Sequence, residues 1–258
     1  MLPALFLSHG APTLPLDDVP AREFLRGVGE ALERPRAIVA ASAHWETEAP
    51  ALGAVERPAT IHDFRGFPPE LHRLRYEAPG APELAERASD LLCAAGIRSR
   101  LDRGRGLDHG VWVPLLLMYP DADIPVVPLS VQPHLGPAHH VQVGRALAPL
   151  REEGVLVLGS GSFTHDLSRF RGQALDAEAP KDVTAFAGWF ESALAEGRTR
   201  DLVTYRARAP GAARQHPTEE HLLPLFVALG AGGPGAPARH LHASAMHGVL
   251  RMDAWAFG

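Results

Sequence analysis

The chain has 258 residues, of which 46% are hydrophobic, and a formal net charge of −5. That length is enough for one large α/β domain with a substantial core, and the lack of a basic stripe argues against a nucleic-acid partner. Lys181 is the only lysine. No other position can therefore supply the lysine of a phosphate-binding loop or form a Schiff base with a substrate.

The first part of the chain predicts two buried strands joined by a helix. Segment 3–8, PALFLS, is typical of a buried strand, and a helix is expected from about Pro20 to Glu33. A second buried strand is predicted over 36–45, RAIVAASAHW. Strand, helix and strand in this order are the pattern of a right-handed parallel crossover.

The middle of the chain continues the alternation of helices and strands. A helix that starts with proline and stops at glycine is predicted over 81–96. The next helix, over 109–120, is apolar around most of its circumference, which indicates a buried helix. Two further strands, over 124–131 and 155–162, enclose a helix over 136–154.

The last part of the chain predicts two amphipathic helices with glycine stops, over 181–197 and 217–232, and edge strands within 239–244 and 249–257. Four segments rich in proline and glycine are expected as loops: 12–20, 57–69, 206–217 and 230–238. The whole pattern predicts a single three-layer α/β domain over residues 1–258, with a central mixed, largely parallel sheet flanked by helices.

The single cysteine and the hydropathy pattern bear on the cellular compartment. Cys93 can form neither an intrachain disulfide nor a thiolate cluster, and its apolar position in a predicted helix indicates a small buried residue. No charged leader precedes the first apolar stretch, and no segment approaches 18 apolar residues. We therefore expect no membrane partner and a cytoplasmic location.

Several of the 14 histidines fall where predicted strands end. His9 and His44 end the first two strands, and His165 follows the strand over 155–162. Loops at the carboxyl ends of parallel strands form the ligand crevice of an open sheet. These three histidines are therefore expected to meet at one rim of the sheet.

Further candidate histidines lie where loops enter helices. His109 stands at the start of the buried helix, where either it or Asp108 is the first residue. The motif HPTEEH supplies His216 and, one turn into a predicted helix, His221. A lone histidine is more often a satisfied core or surface residue than a ligand, and the chain has no HExxH pair. Spacing alone leaves both a metal site and structural roles open.

Taken together, the motifs carry a family resemblance. LFLSHGAP, ASAHWE, GLDHGVWVPLLLMYP, GSGSFTHDL and HPTEEHLLPLFVALGA follow one another in this order. Over residues 5–255 the chain resembles the extradiol ring-cleavage dioxygenases of the LigB superfamily, in particular their DOPA 4,5-dioxygenase-like branch. The resemblance implies a single-domain α/β fold, one mononuclear divalent metal, and cleavage of a catechol with O2 to a semialdehyde.

The resemblance also implies roles for the residues that match the family motifs. His9 and His44 match two metal ligands, and His221 matches the third. His165 matches the acid/base of the family, and His109 matches a pocket histidine that binds or protonates the substrate.

The third ligand departs from the better-studied members, in which a glutamate completes a set of two histidines and one carboxylate. We expect His221 here, with Glu220 as the alternative, because adjacent helical residues point about 100° apart and cannot face a metal equally. Fe(II) is expected for activity, but an all-histidine set also suits Zn(II), which can occupy the site in purified protein. The alternative functions are a zinc hydrolase in the same pocket and a non-enzymatic binding member of the superfamily.

Extradiol cleavage requires a group that takes a proton from the catechol and later returns one. A histidine can do both, because its ordinary pKa is about 6.5, and His165 is the candidate. His109 is expected to hydrogen-bond the substrate oxygen or dioxygen. Asp108 or Asp166 could orient a histidine through its other ring nitrogen, although Asp166 is better placed as a helix cap.

The residues that recognise the ring substituent stay open at this level. A carboxylate on the substrate requires a cationic partner, and four arginines lie in candidate loops: Arg65, Arg206, Arg208 and Arg214. Segment 62–76 is expected to cover the pocket, with three aromatic residues that either stack on the ring or anchor the loop: Phe64, Phe67 and Tyr76. Oligomeric state is not predictable from the sequence.

Overall fold

An eight-stranded mixed sheet is the centre of the computed structural model, which describes residues 1–258. The strands are β1 Ala4–Ser8, β2 Ala37–Glu46, β3 Ala51–Gly53, β4 Arg100–Asp102, β5 Val126–Val131, β6 Val155–Gly161, β7 Ala238–His242, β8 Ala245–Met246, β9 Leu250–Arg251 and β10 Ala254–Phe257. Their order in the sheet is β4-β3-β5-β2-β6-β1-β10-β7, and β8 and β9 pair separately.

Helices cover both faces of this sheet. They are α1 Pro20–Ala31, α2 Pro82–Ala94, α3 His109–Met118, α4 Gly136–Leu147, α5 Lys181–Ala195, α6 Thr199–Leu202, α7 Tyr205–Arg208, α8 Ala212–Gln215 and α9 Leu223–Gly232. One apolar cluster of 39 residues joins the sheet to α2, α4, α5 and α9. A second cluster of 32 residues joins its other face to α1 and α3. The predicted α/β fold, a mixed sheet flanked by helices in a single domain, is confirmed.

Four parallel neighbours, β5, β2, β6 and β1, form the middle of the sheet. Their residues are apolar almost without interruption, because both faces of these strands are covered by helices. Ser8 pairs with Gly161, and Ser42 pairs with Ser160. The carboxyl ends of β1, β2 and β6 therefore reach the same edge of the sheet.

The C-terminal strands differ from the prediction of two edge strands. Segment 249–257 divides into β9 and β10, and β10 lies between β1 and β7. All four residues of β10 are buried, as is typical of a strand with neighbours on both sides. Of the C-terminal strands in the large sheet, only β7 lies at an edge. The three-residue strands β3 and β4 are too short to produce a periodic signal.

The helix predicted over 217–232 begins later, at Leu223. Pro224 lies in its first turn, where proline is favoured because that turn has no internal partner for the missing N–H. The carbonyl of His221 instead accepts a hydrogen bond from the Ser162 N–H at 2.8 Å. His221 therefore lies in the loop before the helix, and the prediction that it is one turn inside is wrong.

Cys93 is exposed, which corrects the prediction of a buried residue. The buried face of α2 consists of Leu84, Ala85, Ala88 and Leu92. Cys93 follows Leu92 and so points about 100° away from that face. None of the helices is long and apolar enough to cross a membrane.

His140, in α4, is buried. Its Nδ1 donates to the Gly136 carbonyl at 2.7 Å, and its Nε2 accepts from the Gln132 N–H at 3.1 Å. Burial lowers the pKa of His140 from 6.5 to about 4. The ring is therefore neutral in the folded protein at neutral pH.

This histidine makes the stability of the fold depend on pH. Between pH 6.5 and about 4 the unfolded chain binds a proton on His140 that the folded chain does not, so stability falls as the pH falls, by about 1.4 kcal/mol per pH unit. We expect urea denaturation of the wild type at pH 7, 6 and 5 to give a steeper decline than for His140→Gln. Parallel declines would contradict the assignment.

Candidate metal centre

The turn after β1 places His9 at the carboxyl edge of the sheet. The His9 N–H donates to the Gly161 carbonyl at 2.9 Å, which extends the pairing of β1 with β6 by one residue. Gly10 then turns the chain away with a φ of +65°, and a Cβ there would lie 2.8 Å from the Met252 methyl carbon. Only glycine fits this turn without strain.

His221 reaches the same edge because its loop lies against the end of β6. A Cβ on Gly161 would lie 2.0 Å from the His221 carbonyl oxygen, so a glycine is required for this close approach. His44 lies near the end of β2, the other neighbour of β6. Three segments that are far apart in the sequence thus bring their histidines to one point.

The Nε2 atom of His44 faces the Nε2 atoms of both His9 and His221. His44 Nε2 lies 3.0 Å from His9 Nε2 and 3.3 Å from His221 Nε2. Two nitrogens that bind one ion at about 2.1 Å, at angles near 90–110°, are about 3.0–3.4 Å apart. The spacing of the rings therefore fits ligands of a single cation.

Burial keeps the three imidazoles neutral. It lowers the pKa of His9 and His221 well below 6.5, and that of His44 to about 3. Neighbouring histidines lower these values further. Neutral imidazole is the form that binds a metal.

Hydrogen bonds at the outer nitrogens select the tautomer of two rings. The Ser160 hydroxyl donates to the Gly110 carbonyl and so accepts from His9 Nδ1, at 3.0 Å. Glu220 Oε1 accepts from His221 Nδ1 at 2.9 Å. Both rings carry their proton on Nδ1, which leaves a lone pair on each Nε2.

These two lone pairs point at the same ring, that of His44. A proton on His44 Nε2 could be donated to only one of these lone pairs, and the other lone pair would then have no donor. A divalent cation between the three nitrogens satisfies all of them at once. The residues present therefore fit a metal ion.

Glu220, the alternative third ligand, lies on the outer side of His221. Its carboxylate accepts from His221 Nδ1 and from the Thr218 hydroxyl at 3.0 Å. The argument from helical angles does not apply, because both residues precede α9. Carboxylates commonly orient a metal-binding histidine in this way.

Asp63 performs the corresponding role for His109 and was not predicted. Its Oδ1 accepts from the backbone N–H of His109 at 3.0 Å and from Nδ1 at 2.9 Å. Burial alone would raise the pKa of Asp63, but the bonds from His109 bring it down to about 2. The second oxygen lies 3.8 Å from His44 Nδ1. Asp63 therefore orients His109 directly and lies beside His44.

Neither predicted orienting carboxylate forms a hydrogen bond with a histidine side chain. Asp108 accepts from the Ser42 hydroxyl and from Arg105, each at 2.6 Å, and so ties β2 to the start of α3. Asp166 accepts from the Ser168 N–H at 3.2 Å, as expected for a helix cap. Both residues position backbone near the site.

His165 lies beside the three convergent rings. Its imidazole stacks on that of His221, with centroids 3.5 Å apart and planes inclined by 13°. Burial lowers the pKa of His165 to about 4, so the ring is neutral at pH 7. His216, by contrast, donates from Nε2 to the Phe163 carbonyl at 3.0 Å and is fully buried. It supports the loop that carries His165.

A cavity of about 420 Å³ opens over these rings. His9, His44, His109, His165 and His221 all line it. Phe64 and Phe67 belong to the lining, as predicted for the covering segment, whereas Tyr76 is fully buried in the apolar core. The four arginines proposed from the sequence are absent from the lining, and the arginine present there is Arg171.

The contact between Asp63 and His109 can be tested by a neutral substitution. Asp63→Asn removes the charge that stabilises the Nδ1–H tautomer of His109, and we expect kcat for ring cleavage to fall by about 10- to 100-fold. Metal content should not change. Asp121→Asn, at an exposed position, serves as the control. An unchanged kcat would contradict the role of Asp63.

Comparison with known proteins agrees with this geometry. Residues 3–249 match the family described as the catalytic LigB subunit of aromatic ring-opening dioxygenase. The chain is 46% identical over 256 residues to a 4,5-DOPA dioxygenase extradiol of Beta vulgaris, covering 98% of this chain and 95% of that protein. It is 42% identical over 234 residues to the protein of the same name from Escherichia coli K12, covering 89% and 85%.

A solved structure shares the fold. The crystal structure of an uncharacterized protein from Escherichia coli K12 superposes with a TM-score of 0.83 at 35% identity, over 100% of both chains. The chain thus belongs to the LigB family of aromatic ring-opening dioxygenases. Its activity is extradiol ring cleavage, an oxidoreductase reaction that the family carries out at a mononuclear metal.

Proposed function

We propose that this chain is an Fe(II)-dependent extradiol dioxygenase that opens a catechol ring beside its diol and incorporates both atoms of O2, to give a semialdehyde. The observation that carries the proposal is the convergence of the Nε2 atoms of His9, His44 and His221, at 3.0 and 3.3 Å. Three ligands on one side leave room for a bidentate diol and for dioxygen.

By distance alone, His109 could be the third ligand in place of His221. The ring nitrogens of His9, His44 and His109 lie within 4.8 Å of one another. We favour His221, because its Nε2 directly faces His44 Nε2 and its Nδ1 is held by Glu220. His109 is then free to contact the substrate from the wall of the cavity.

Fe(II), when bound, supplies the redox chemistry that joins dioxygen to the ring. The protein handles the protons. His165 is neutral at pH 7, with its ring at the cavity wall, so a ring nitrogen can accept the proton of a catechol hydroxyl and return it later. His109, whose Nδ1–H bonds Asp63, presents the lone pair of Nε2 as an acceptor for the second hydroxyl.

The test is reconstitution with Fe(II) under anaerobic conditions, followed by oxygen and a panel of catechols. DOPA is the first substrate to try, because relatives from Beta vulgaris and Escherichia coli are named for it; caffeate and protocatechuate complete the panel. We expect oxygen uptake and a yellow ring-fission product. Neither signal on any catechol would contradict the proposal.

A metal assay alone does not separate Fe(II) from Zn(II). Zinc binds nitrogen ligands more tightly than ferrous iron, so purified protein can carry zinc whatever its function. Activity after exchange for Fe(II), with no hydrolysis of esters or amides by the zinc form, would distinguish the dioxygenase from a zinc hydrolase. A cytoplasmic location is part of the proposal, because the single cysteine offers no intrachain disulfide.

A further inference from the structure

The cavity over the histidines has one permanently charged residue in its lining. Arg171 is the only lysine, arginine, aspartate or glutamate among the residues that line it. The remaining lining is largely apolar. Apart from a metal ion held by the histidines, an anionic group on a ligand would meet one positive charge, that of Arg171.

Arg171 has no partner in the protein. It takes part in no hydrogen bond and no ion pair, whereas its neighbour Arg169 binds Asp182 at 3.0 Å and lies 3.0 Å from Asp166. Asp166 and Asp182 are thus already occupied by another guanidinium. Arg171 keeps its five N–H donors for water or a ligand.

The four arginines expected from the sequence are arranged differently. Arg206 donates to the His216 carbonyl at 2.8 Å, Arg208 pairs with Asp201 at 3.2 Å, and Arg214 lies 3.7 Å from Asp182. Arg65 is exposed, as Arg171 is, but none of the four lines the cavity. Arg171 is therefore the arginine placed to meet a substrate.

The size of the cavity leaves space for a substituent between the metal-facing rings and Arg171. An apolar cavity of about 150 Å³ is enough to hold benzene, whereas this cavity measures about 420 Å³. Phe64, Phe67, Leu167 and Phe170 provide apolar walls. A ring with a short aliphatic tail suits these walls, and Arg171, which is exposed, belongs to the same lining.

We propose that Arg171 is the specificity-determining residue of this site and binds the carboxylate of a catechol that carries a short anionic side chain. The inference rests on the proposed function for the position of the diol. A guanidinium and a carboxylate form two parallel hydrogen bonds, which orient the side chain as well as attract it. Arg171 therefore governs substrate choice without a part in ring opening.

The experiment compares three catechols on Fe(II)-reconstituted protein: 3-(3,4-dihydroxyphenyl)propionate, 4-methylcatechol and dopamine, which carry an anionic, an uncharged and a cationic substituent. For Arg171→Gln we expect kcat/KM for the propionate to fall by about 10- to 100-fold, mainly through KM. The value for 4-methylcatechol should not change. Arg171→Glu should reverse the preference toward dopamine, and Arg171→Lys should retain part of the propionate activity.

Arg98→Gln is the matched control, since Arg98 is an exposed arginine that does not line the cavity. It should leave all three kcat/KM values unchanged. An Arg171→Gln variant with the same ratio of propionate to 4-methylcatechol activity as the wild type would overturn the inference.

Calorimetric titration of the zinc-loaded protein separates this inference from the proposed function. If the wild type cleaves none of the catechols but binds the propionate, and Arg171→Gln weakens that binding, the dioxygenase proposal fails and the role of Arg171 stands. If the catechols are cleaved and the substitution changes neither binding nor the activity ratio, the role of Arg171 fails alone. Absence of both cleavage and Arg171-dependent binding overturns both.

Discussion

Protein with alanine in place of His9 is expected to lose its metal and, with it, ring cleavage. His9 contributes one of three convergent nitrogens, and Ser160 holds its outer nitrogen. Four-ligand zinc sites bind with about 10–16 kcal/mol, so one ligand contributes roughly 3–4 kcal/mol, which is a few hundred-fold in affinity. The readout is the metal content after dialysis against a dilute chelator, measured by elemental mass spectrometry.

Two further variants make the result specific for this ligand. His134→Ala removes an exposed histidine outside the cavity and should keep the metal. His9→Gln preserves most of the buried volume, so loss of metal there, with an unchanged circular dichroism spectrum, excludes unfolding as the cause. Full metal content in both His9 variants would refute the assignment of His9.

The second large effect is expected at His165, whose substitution should lower turnover without loss of the metal. His165 stacks on His221 and is not one of the three proposed ligands. Removal of a general acid or base lowers rates by about 100- to 10,000-fold. We therefore expect His165→Ala to keep its iron and to lose kcat by that factor, as measured by oxygen uptake.

Rescue by a small molecule tests whether His165 acts through its imidazole. Free imidazole fits the space left by the side chain and should restore part of the lost rate to His165→Ala. The same additive should have no effect on the His9 variants, because they lack the metal. Normal turnover by His165→Ala would show that the proton is handled elsewhere.

The middle of the fold was predictable because its strands are covered on both faces. β1, β2, β5 and β6 are apolar along nearly their whole length, and each is bounded by loop or helix signals. That pattern also predicted that His9, His44 and His165 follow strands. Three histidines at the carboxyl edge of a parallel sheet are a consequence of topology, which the order of the elements largely determines.

Details that depend on distant contacts were not predictable. The pairing of Asp63 with His109 joins a loop to a helix start 46 residues later, and the local sequence has no periodic signal for it. The late start of α9 follows from the hydrogen bond between the His221 carbonyl and the Ser162 N–H. Helix propensities of the local sequence contain no information about this contact. Arg171 was missed because nothing local distinguishes it from the other arginines in loops.

The position of β1 also has a consequence for how the protein folds. This strand, which ends at His9, pairs with β6 on one side and with β10 on the other, across sequence separations of about 150 and 250 residues. Contacts so distant require closure of large loops, which slows folding. The metal centre is therefore expected to form late, after the helices, so that recovery of metal affinity during refolding lags behind recovery of helical signal.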